Sequence, residues 1–273
     1  MERMMRRWKR LTAEEVKNIA AARTPEEYSD GGLAKGPYVQ PFAQALVGRT
    51  LTFELPDEAP YTCEMKTLHG LFRKQGEDEG TAYYQAHEAE PGVFFIQYAL
   101  RDRYPVECHT WVADTNTGLV TLCRAKLGGG VEPREVVHSF SFGVISGYES
   151  YPVEKHGFTA DLVGKAISWV YLPEMEPLKH IYSSEYYYTY VMQGGGRCWM
   201  ATNPADFVKI SDHLYIFSFV EERQAGVQGF FLINTETLTD VGSFFGINSM
   251  DQFECYTVGA KGEFAEISTY FTK

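Results

Sequence analysis

Short runs of β-branched and aromatic residues follow one another through the chain after residue 44, and turn-forming residues separate them. Such runs predict β-strands, and the Asp, Asn, Gly and Pro clusters between them predict tight turns. A series of about eight short sequential strands is typical of an up-and-down antiparallel barrel. In the first half, the predicted strands cover residues 50–55, 62–66, 68–74, 81–87, 93–100, 106–113, 119–125 and 136–144.

The same pattern returns in the second half. The segment ALVGRTLTF at 45–53 reappears as DLVGKAISW at 161–169, so that Gly164 repeats Gly48 at an offset of 116 residues (164 − 48). Two similar halves of this length predict two copies of one fold. We therefore predict an all-β protein of two tandem antiparallel β-barrels, at 45–146 and 161–273, with a linker at 147–160. In the second half, the predicted strands cover residues 165–171, 179–183, 186–192, 206–209, 214–221, 227–234, 239–245, 254–258 and 264–271.

Residues 1–44 are predicted to form an N-terminal helical arm. Thr12 and Glu15 have the spacing of a capping box, which predicts a short helix ending near residue 22. The first 24 residues are basic but lack an apolar run followed by a small-residue cleavage site, so no export signal is predicted. No helical period of similar length follows residue 24.

Charge and cysteine content narrow the choice of partner and compartment. The formal net charge is −11, and the basic cluster lies at residues 3–10. Duplex nucleic acid and acidic membrane surfaces need clustered Lys and Arg, so neither is an expected partner. No run is apolar enough to cross a bilayer. Because CxxC spacing and an export signal are both absent, we expect a cytoplasmic protein with five free thiols, at Cys63, Cys108, Cys123, Cys198 and Cys255.

Two predicted strands of the second half concentrate phenol and imidazole groups. Residues two apart in a strand share a face, so His180 points with Tyr182, and Tyr188 points with Tyr190 and Met192. If this face looks into the barrel, it forms a pocket wall that orients a ligand and transfers protons without a cofactor. The alternatives are a tyrosine-rich outer face, or a core in which the hydroxyls reach backbone partners.

Comparison of the two halves favours the second barrel as the binding or active barrel. Aligning Gln193 with Gln75 pairs Tyr182 with Glu64. At most aligned positions of these strands, the second copy has a polar aromatic residue where the first copy has a small or apolar one. Function is therefore expected in the second copy.

Glu221 ends a predicted strand whose other residues on the same face are aromatic. A carboxyl group in such surroundings tends towards a raised pKa, which suits a general acid or base. The alternative is a solvated strand end beside Glu222 and Arg223. We predict catalytic roles for His180, Tyr182, Tyr188 and Glu221, and ligand contacts by Tyr190, Met192, Tyr215, Phe217, Phe219 and Phe231.

A second candidate site lies in the first half. Glu107, His109 and Trp111 share one strand face, and Glu64 is a candidate to join them from its own strand. Metal-binding spacings such as HxH, HExxH and paired CxxC do not occur, so neither a metal nor another cofactor is expected. In the alternative arrangement that set lies outside, and the core face consists of Val106, Cys108, Thr110 and Val112.

Two segments of the first half and five of the second carry a family resemblance. In the first half they are LVGR at 46–49 and PGVFF at 91–95. In the second half they are DLVGK at 161–165, HIY at 180–182, YT at 188–189, DHLYIF at 212–217 and FFG at 244–246. In these segments the two halves resemble the N-terminal and C-terminal domains of the MoaF-like family, named for molybdenum cofactor biosynthesis protein F. The resemblance covers roughly residues 45–270 and implies two calycin-like barrels of the lipocalin type, but no particular reaction.

The leading functional hypothesis is a cofactor-independent enzyme that acts by proton transfer on a small, largely apolar and aromatic metabolite. The reaction would be that of a lyase, hydratase or isomerase. Some calycin-type barrels, such as phenolic acid decarboxylases, use Tyr pairs and a Glu in this way, which is an analogy at the level of the fold. The alternatives are a non-enzymatic carrier of lipocalin type and an accessory protein in a monoamine or molybdenum-enzyme pathway. A homodimer is left open.

Overall fold

The computed structural model describes residues 10–22, 24, 32–148, 152, 154–194, 197–221 and 226–267. Helix α1 spans Ala13–Ala21, and 3-10 helices follow at Gly32–Lys35 and Gln44–Leu46. The predicted capping box is present: Glu15 N–H donates to Thr12 Oγ1 at 3.2 Å, and Thr12 N–H donates to Glu15 Oε2 at 2.8 Å. Within these residues, no helix has the length and apolar character needed to cross a membrane.

The first barrel confirms the predicted series of eight strands. Each strand pairs antiparallel with the next, and β1 pairs with β8 through Phe53–Ile145 and Glu54–Val144, which closes the barrel. Closure removes the open edges that would otherwise invite pairing with other chains. The strands are β1 Thr50–Glu54, β2 Tyr61–Met65, β3 Gly70–Gln75, β4 Asp78–Glu90, β5 Val93–Leu100, β6 Val106–Asp114, β7 Leu119–Leu127 and β8 Val136–Ile145.

The second barrel repeats this arrangement with β10 to β17. Pairing of β12 with β13 and of β10 with β17 completes the ring, and the short strand β9 adds to the end of β13. The predicted strand 206–209 is only the end of the longer strand β13. The predicted strand 264–271 does not begin as a separate strand, because β17 runs unbroken to Phe264. The strands are β9 Gly157–Phe158, β10 Ala166–Val170, β11 Leu178–Tyr182, β12 Tyr187–Gly194, β13 Arg197–Lys209, β14 Leu214–Glu221, β15 Val227–Asn234, β16 Thr239–Ile247 and β17 Phe253–Phe264.

The repeated glycines mark equivalent positions in the two barrels. Gly48 and Gly164 both have φ of +81°, a conformation that favours glycine. Gly48 N–H donates to Met65 O at 2.7 Å, and Gly164 N–H donates to Tyr182 O at 2.9 Å. Tyr182 therefore corresponds to Met65, and the expected match with Glu64 is wrong. The connection between the first two strands is one residue longer in the second copy, and a shift of one residue exchanges the inner and outer faces of a strand.

The two barrels pack against each other through the outer faces of equivalent strands. Phe95 on β5 contacts Phe230 on β15, with ring centroids 5.8 Å apart, and both side chains are almost fully buried. Strands β5, β6 and β7 of the first barrel meet β14, β15 and β16, their counterparts in the second. This explains why β6 is buried on both faces: its outer residues, including Val106, Cys108 and Val112, lie in the contact between barrels.

The N-terminal arm precedes the first barrel in sequence but also covers the second. Val16 and Ala20 of α1 are fully buried in the cluster where the two barrels meet. Further along, the 3-10 helix Gly32–Lys35 lies against β17. The Tyr38 carbonyl comes so close to Gly259 that a Cβ at that position would collide with it. The arm precedes the first barrel in the chain but therefore also packs against the second barrel.

We expect at least three thiols to be unreactive in the folded protein. Cys63, Cys108 and Cys123 are free and buried, and burial raises the thiol pKa of Cys63 and of Cys123 to about 12, so little thiolate forms at neutral pH. Titration with a chromogenic disulfide at pH 8 should count five thiols only after unfolding without reductant. Fewer than four in the unfolded chain, or rapid reaction of all thiols in the native state, would contradict this. The Cys198 side chain lies outside the described part of the structure.

Candidate functional site

A cavity of about 240 Å³ opens into one end of the second barrel. It lies where β14 and β16 finish and where β15 and β17 begin. Seven of the ten residues predicted for this barrel line it: His180, Tyr188, Tyr190, Met192, Phe219, Glu221 and Phe231. The remaining lining residues, which sequence analysis did not single out, are Leu33, Tyr171, Met175, Leu178, Val227, Phe244, Glu254 and Tyr256.

Strand alternation brings the predicted residues together. His180 on β11 pairs with Tyr190 on β12, and Tyr182 pairs with Tyr188, so all four point to the inside of the barrel. Phe219 and Phe231, from β14 and β15, stack with their rings 5.9 Å apart. The polar aromatic residues therefore lie on the inner face of the barrel and do not form a tyrosine-rich outer face.

His180 is held neutral by its surroundings. The ring is 2% exposed and lies among aromatic side chains, with its centroid 5.3 Å from that of Tyr188 and 5.4 Å from that of Phe217. Burial lowers the pKa of His180 to about 3. No described residue accepts from or donates to its Nδ1. A neutral imidazole with an unused nitrogen is suited to hydrogen bonding with a ligand.

Asn203 on β13 links Tyr188 to Glu221. The Asn203 amide donates to Tyr188 Oη at 3.4 Å and to Glu221 Oε2 at 3.5 Å. Burial raises the pKa of Tyr188 well above its ordinary value, and the charge of Glu221 raises it further. The phenol is therefore a hydrogen-bond donor at neutral pH and not a phenolate.

A buried acid that the sequence analysis missed lies next to the cavity. Tyr171, which lines the cavity, donates from Oη to Asp240 Oδ2 at 3.2 Å, and Ala260 N–H donates to Asp240 Oδ1 at 2.7 Å. Asp240 is 2% exposed. Burial raises its carboxyl pKa to about 7, although the two hydrogen bonds lower it. The sequence contained a signal for this acid. Asp240 alternates with Gly242 and Phe244 along β16, so all three share the inner face of the strand.

A second missed pair lies on β17. Glu254 and Tyr256 both line the cavity. The Asn248 amide donates to Glu254 Oε1 at 2.8 Å, while burial raises the pKa of the Glu254 carboxyl. Burial and the neighbouring Glu254 also raise the pKa of Tyr256. The rim of the cavity thus carries two carboxyl groups, Glu221 and Glu254, among aromatic rings.

Three predicted residues do not line this cavity. Tyr215 lies at the other end of β14, where its hydroxyl donates to Asp161 at 3.3 Å and to the Asp212 carbonyl at 3.0 Å. Phe217 fills the aromatic core below the cavity. Tyr182 is fully buried, and its Oη reaches no hydrogen-bond partner among the described residues.

Family comparison agrees with this division into two barrels. Residues 28–129 match the MoaF N-terminal domain, and residues 156–267 match the MoaF C-terminal domain. The chain belongs to the MoaF family. No curated protein matches it. All lining residues of the cavity except Leu33 therefore lie within the MoaF C-terminal domain.

The MoaF N-terminal domain has a polar cluster inside its own barrel. His109 Nδ1 lies 3.1 Å from Tyr98 Oη and 3.3 Å from Tyr61 Oη, and the Trp111 indole donates to Tyr98 Oη at 3.3 Å. His109 Nε2 lies 3.3 Å from Glu107, which lowers the pKa of that carboxyl to about 2, with Lys126 contributing. Glu107, His109 and Trp111 thus face inward together. Glu64 does not join them, because it lies on the outer face of β2 beside Lys66.

The two MoaF domains use different inward positions for their polar side chains. Strand registers make Tyr61, Arg73, Tyr98 and His109 equivalent to Leu178, Tyr190, Phe219 and Gly229. Apart from Arg73, whose counterpart is Tyr190, each of these polar residues of the first domain has a non-polar residue at the equivalent position of the second domain. The same holds in reverse: His180, Tyr182, Tyr188, Glu221 and Asp240 correspond to Cys63, Met65, Leu71, Leu100 and Val120.

Tyr182→Phe should leave ligand binding and turnover within about twofold of wild type. The substitution keeps the ring that packs against Phe207 and Phe217 and removes a hydroxyl without a hydrogen-bond partner. Removing a buried, unsatisfied hydroxyl is neutral or slightly stabilising. Chemical denaturation and ligand titration of the purified variant test this. A large loss of binding in a folded variant would place the Tyr182 hydroxyl in the site after all.

Proposed function

We propose that the chain is a cofactor-independent enzyme that transfers protons to and from a small, largely apolar and aromatic molecule held in the second barrel. The reaction class is that of a lyase, hydratase or isomerase. The observation that carries the proposal is the Tyr171–Asp240 pair, in which a cavity-lining phenol donates a hydrogen bond to a fully buried acid. The proposal also assigns the protein to a reducing, cytoplasmic setting, which the free thiols support.

The pair can work as a proton relay in both directions. With Asp240 ionised, the Tyr171 proton is directed at the carboxylate, and a lone pair of the phenol oxygen is left for a substrate proton. When that oxygen takes a proton from substrate, its original proton passes to Asp240. The return sequence delivers a proton to an intermediate. A carboxyl group with a pKa of about 7 holds comparable amounts of both forms near neutral pH, which is the condition that favours acid–base catalysis.

The lining disfavours anionic substrates. Aromatic residues form much of the wall, and Leu33, Met175, Leu178, Met192 and Val227 complete its apolar part. Among the described lining residues there is no Lys or Arg, and His180 is neutral, so an anionic ligand would be desolvated without a counter-charge. Leu33 from the arm contacts the same space. Aromatic walls with a few polar groups are typical of sites for small aromatic ligands.

The remaining polar groups have positioning roles in this proposal. The neutral His180 ring and the Tyr188 hydroxyl orient the substrate. Glu221 is held near Tyr188 through Asn203, and it is the second candidate to exchange a proton with the substrate. The predicted catalytic set of the sequence analysis thereby keeps His180, Tyr188 and Glu221, with Tyr171 and Asp240 added.

Hydrogen–deuterium exchange at carbon tests proton transfer before the natural substrate is known. Neutral aryl ketones and vinylphenols, beginning with phenylacetone and 4-vinylphenol, would be incubated with the protein in deuterium oxide and followed by proton NMR. The proposal expects faster C–H exchange or conversion for some member of the panel with wild type than with Asp240→Asn. Native mass spectrometry of gently purified protein would show any molecule already carried.

The outcome also separates the enzyme from a carrier. Binding in the cavity without exchange or conversion, for the panel and for any co-purified molecule, would overturn the enzymatic proposal and support a small-molecule carrier of lipocalin type. The enclosure of the cavity by Leu33 would serve such a carrier by shielding the ligand from water.

A further inference from the structure

A second cavity, of about 360 Å³, lies at the side of the first barrel. Strands β4 and β5 are paired only from Tyr84–Tyr98 onward, and the earlier part of β4 parts from β5. The cavity occupies this gap and takes side chains from both faces of the sheet. Its lining includes Arg73 and Tyr98 from the barrel interior, and Gln97 from the outer face.

Two polar atoms of the lining residues are buried and have no hydrogen-bond partner among the described residues. One is the donor Nε of Arg73, a residue 3% exposed, and the other is the acceptor Oε1 of Gln97, a residue 2% exposed. Buried polar atoms are nearly always satisfied by protein, by ordered water or by a bound ligand. A donor and an acceptor without partners on two residues that line one cavity are therefore suited to a ligand that accepts one hydrogen bond and donates another.

The charges at this cavity favour an anionic group. Arg73 donates to Asp78 at 2.8 and 3.1 Å, and Arg103 donates to the same carboxylate at 3.2 Å, so two guanidinium groups share one carboxylate. Glu79 and Asp102 also line the cavity. Both are partnered at the exposed rim: Glu79 Oε2 lies 3.5 Å from Lys74 Nζ, and Asp102 Oδ1 lies 4.0 Å from Arg103 Nε. Arg101 adds a further positive charge to the lining.

The wall at Tyr98 is rigid. Its hydroxyl donates to Tyr61 Oη at 2.8 Å and accepts from the Trp111 indole, and His109 lies behind it. All four residues are buried. Side chains fixed in this way lose little freedom when a ligand binds, which lowers the entropic cost of binding.

We propose that this cavity is a second small-molecule site, specific for a small carboxylate that also carries a hydrogen-bond donor such as a hydroxyl. The carboxylate accepts from Arg73 Nε–H, and the donor group hydrogen-bonds to Gln97 Oε1. The site is independent of the proton-transfer function proposed for the second barrel. In the second barrel, Tyr190 and Ser218 occupy the positions of Arg73 and Gln97, so no equivalent charge exists there.

The probe is 4-hydroxybenzoate, compared with its uncharged analogue 4-hydroxybenzamide. Calorimetric titration of the wild-type chain should show saturable binding of the carboxylate, with the amide bound at least about tenfold more weakly, since a hydrogen bond to a charged group contributes more than a neutral one. Arg73→Met should weaken carboxylate binding by about 10- to 100-fold. Lys66→Met removes the same charge from the residue that follows β2, where Lys66 pairs with Glu64 outside the barrel, and should change the affinity by less than about twofold.

Gly80→Leu provides a test that keeps Arg73 in place. A Cβ at Gly80 would lie 3.7 Å from Arg73 Nη2, an ordinary contact, so the larger side chain extends into the cavity without removing a hydrogen bond. Loss of 4-hydroxybenzoate binding in this variant supports the site even if Arg73→Met does not fold. The proposal is overturned if 4-hydroxybenzoate does not bind at 10 mM (on the order of the weakest useful affinity), if Arg73→Met and Lys66→Met bind it equally well, or if Gly80→Leu binds it as wild type does.

Discussion

Tyr171→Phe should reduce turnover by about 10²- to 10⁴-fold, the usual range for removing a group that transfers a proton in the transition state. The substitution deletes only the hydroxyl that donates to Asp240 at 3.2 Å and leaves the ring in the cavity wall. Ligand affinity should change by no more than about tenfold, because one hydrogen bond contributes on the order of 1 kcal/mol. Turnover and affinity would be measured on the first substrate that the exchange assay identifies.

Asp240→Asn tests the other half of the pair through the pH profile. If ionised Asp240 accepts the proton, kcat/KM of wild type should rise with pH and level off above an inflection near pH 7, since its carboxyl pKa is raised to about 7. The Asn variant should be slow and lack this inflection. Tyr182→Phe is the matched control, because it removes a buried phenol hydroxyl from the same barrel outside the cavity lining. Equal effects of Tyr171→Phe and Tyr182→Phe would refute the relay.

The folded protein should lose about 3 kcal/mol of unfolding free energy between pH 7 and pH 5. Burial lowers the pKa of His87 and His156 to about 4 and that of His180 to about 3. These rings stay neutral in the native state but gain protons below about pH 6.5 once unfolded, so together they remove about 5 kcal/mol. Asp240 acts in the opposite direction: its folded pKa is raised, so its contribution is greatest at low pH and declines as pH rises through 7, which returns about 2 kcal/mol at pH 5.

Equilibrium unfolding in urea at pH 5, 6 and 7 would measure this balance. The window lies above the range in which ordinary carboxylates titrate. Asp240→Asn should make the pH dependence steeper by about 2 kcal/mol over the same interval, because the opposing term is removed. Stability that is flat or increases towards pH 5 in wild type would show that the histidines are not held neutral as the structure indicates.

Local pattern accounted for most of the fold. Alternation and turn residues predicted eight strands in the first barrel, and the LVG repeat predicted the second. The prediction was weakest at β13, of which only the last four residues were recognised. Pro204 lies within that strand, and proline argues against a strand interior when only the sequence is considered. In the structure, Pro204 stands opposite Tyr187, the first residue of β12.

The candidate site was only partly accessible from sequence. Alternation along single strands places His180, Tyr188 and Glu221 on inner faces, which is a local property. The Tyr171–Asp240 contact joins residues that are 69 apart in the chain and depends on closure of the barrel between β10 and β17. Leu33 reaches the cavity because the arm crosses over to the second barrel. A periodic pattern along one segment contains no information about such long-range contacts.

The way in which the barrels meet makes the chain a dimer within one polypeptide. Equivalent strands from both copies form the contact. If the two barrels were separated at the 148–156 connection, each would expose an apolar face that is complementary to the other barrel. By the same symmetry, that face would resemble the face of the other barrel, so that two copies of one barrel could also pair. The covalent connection therefore favours pairing of the first barrel with the second over pairing of two identical barrels from different chains. The two copies can therefore carry different polar residues, so that a single folded unit holds two different cavities in a fixed ratio of one to one.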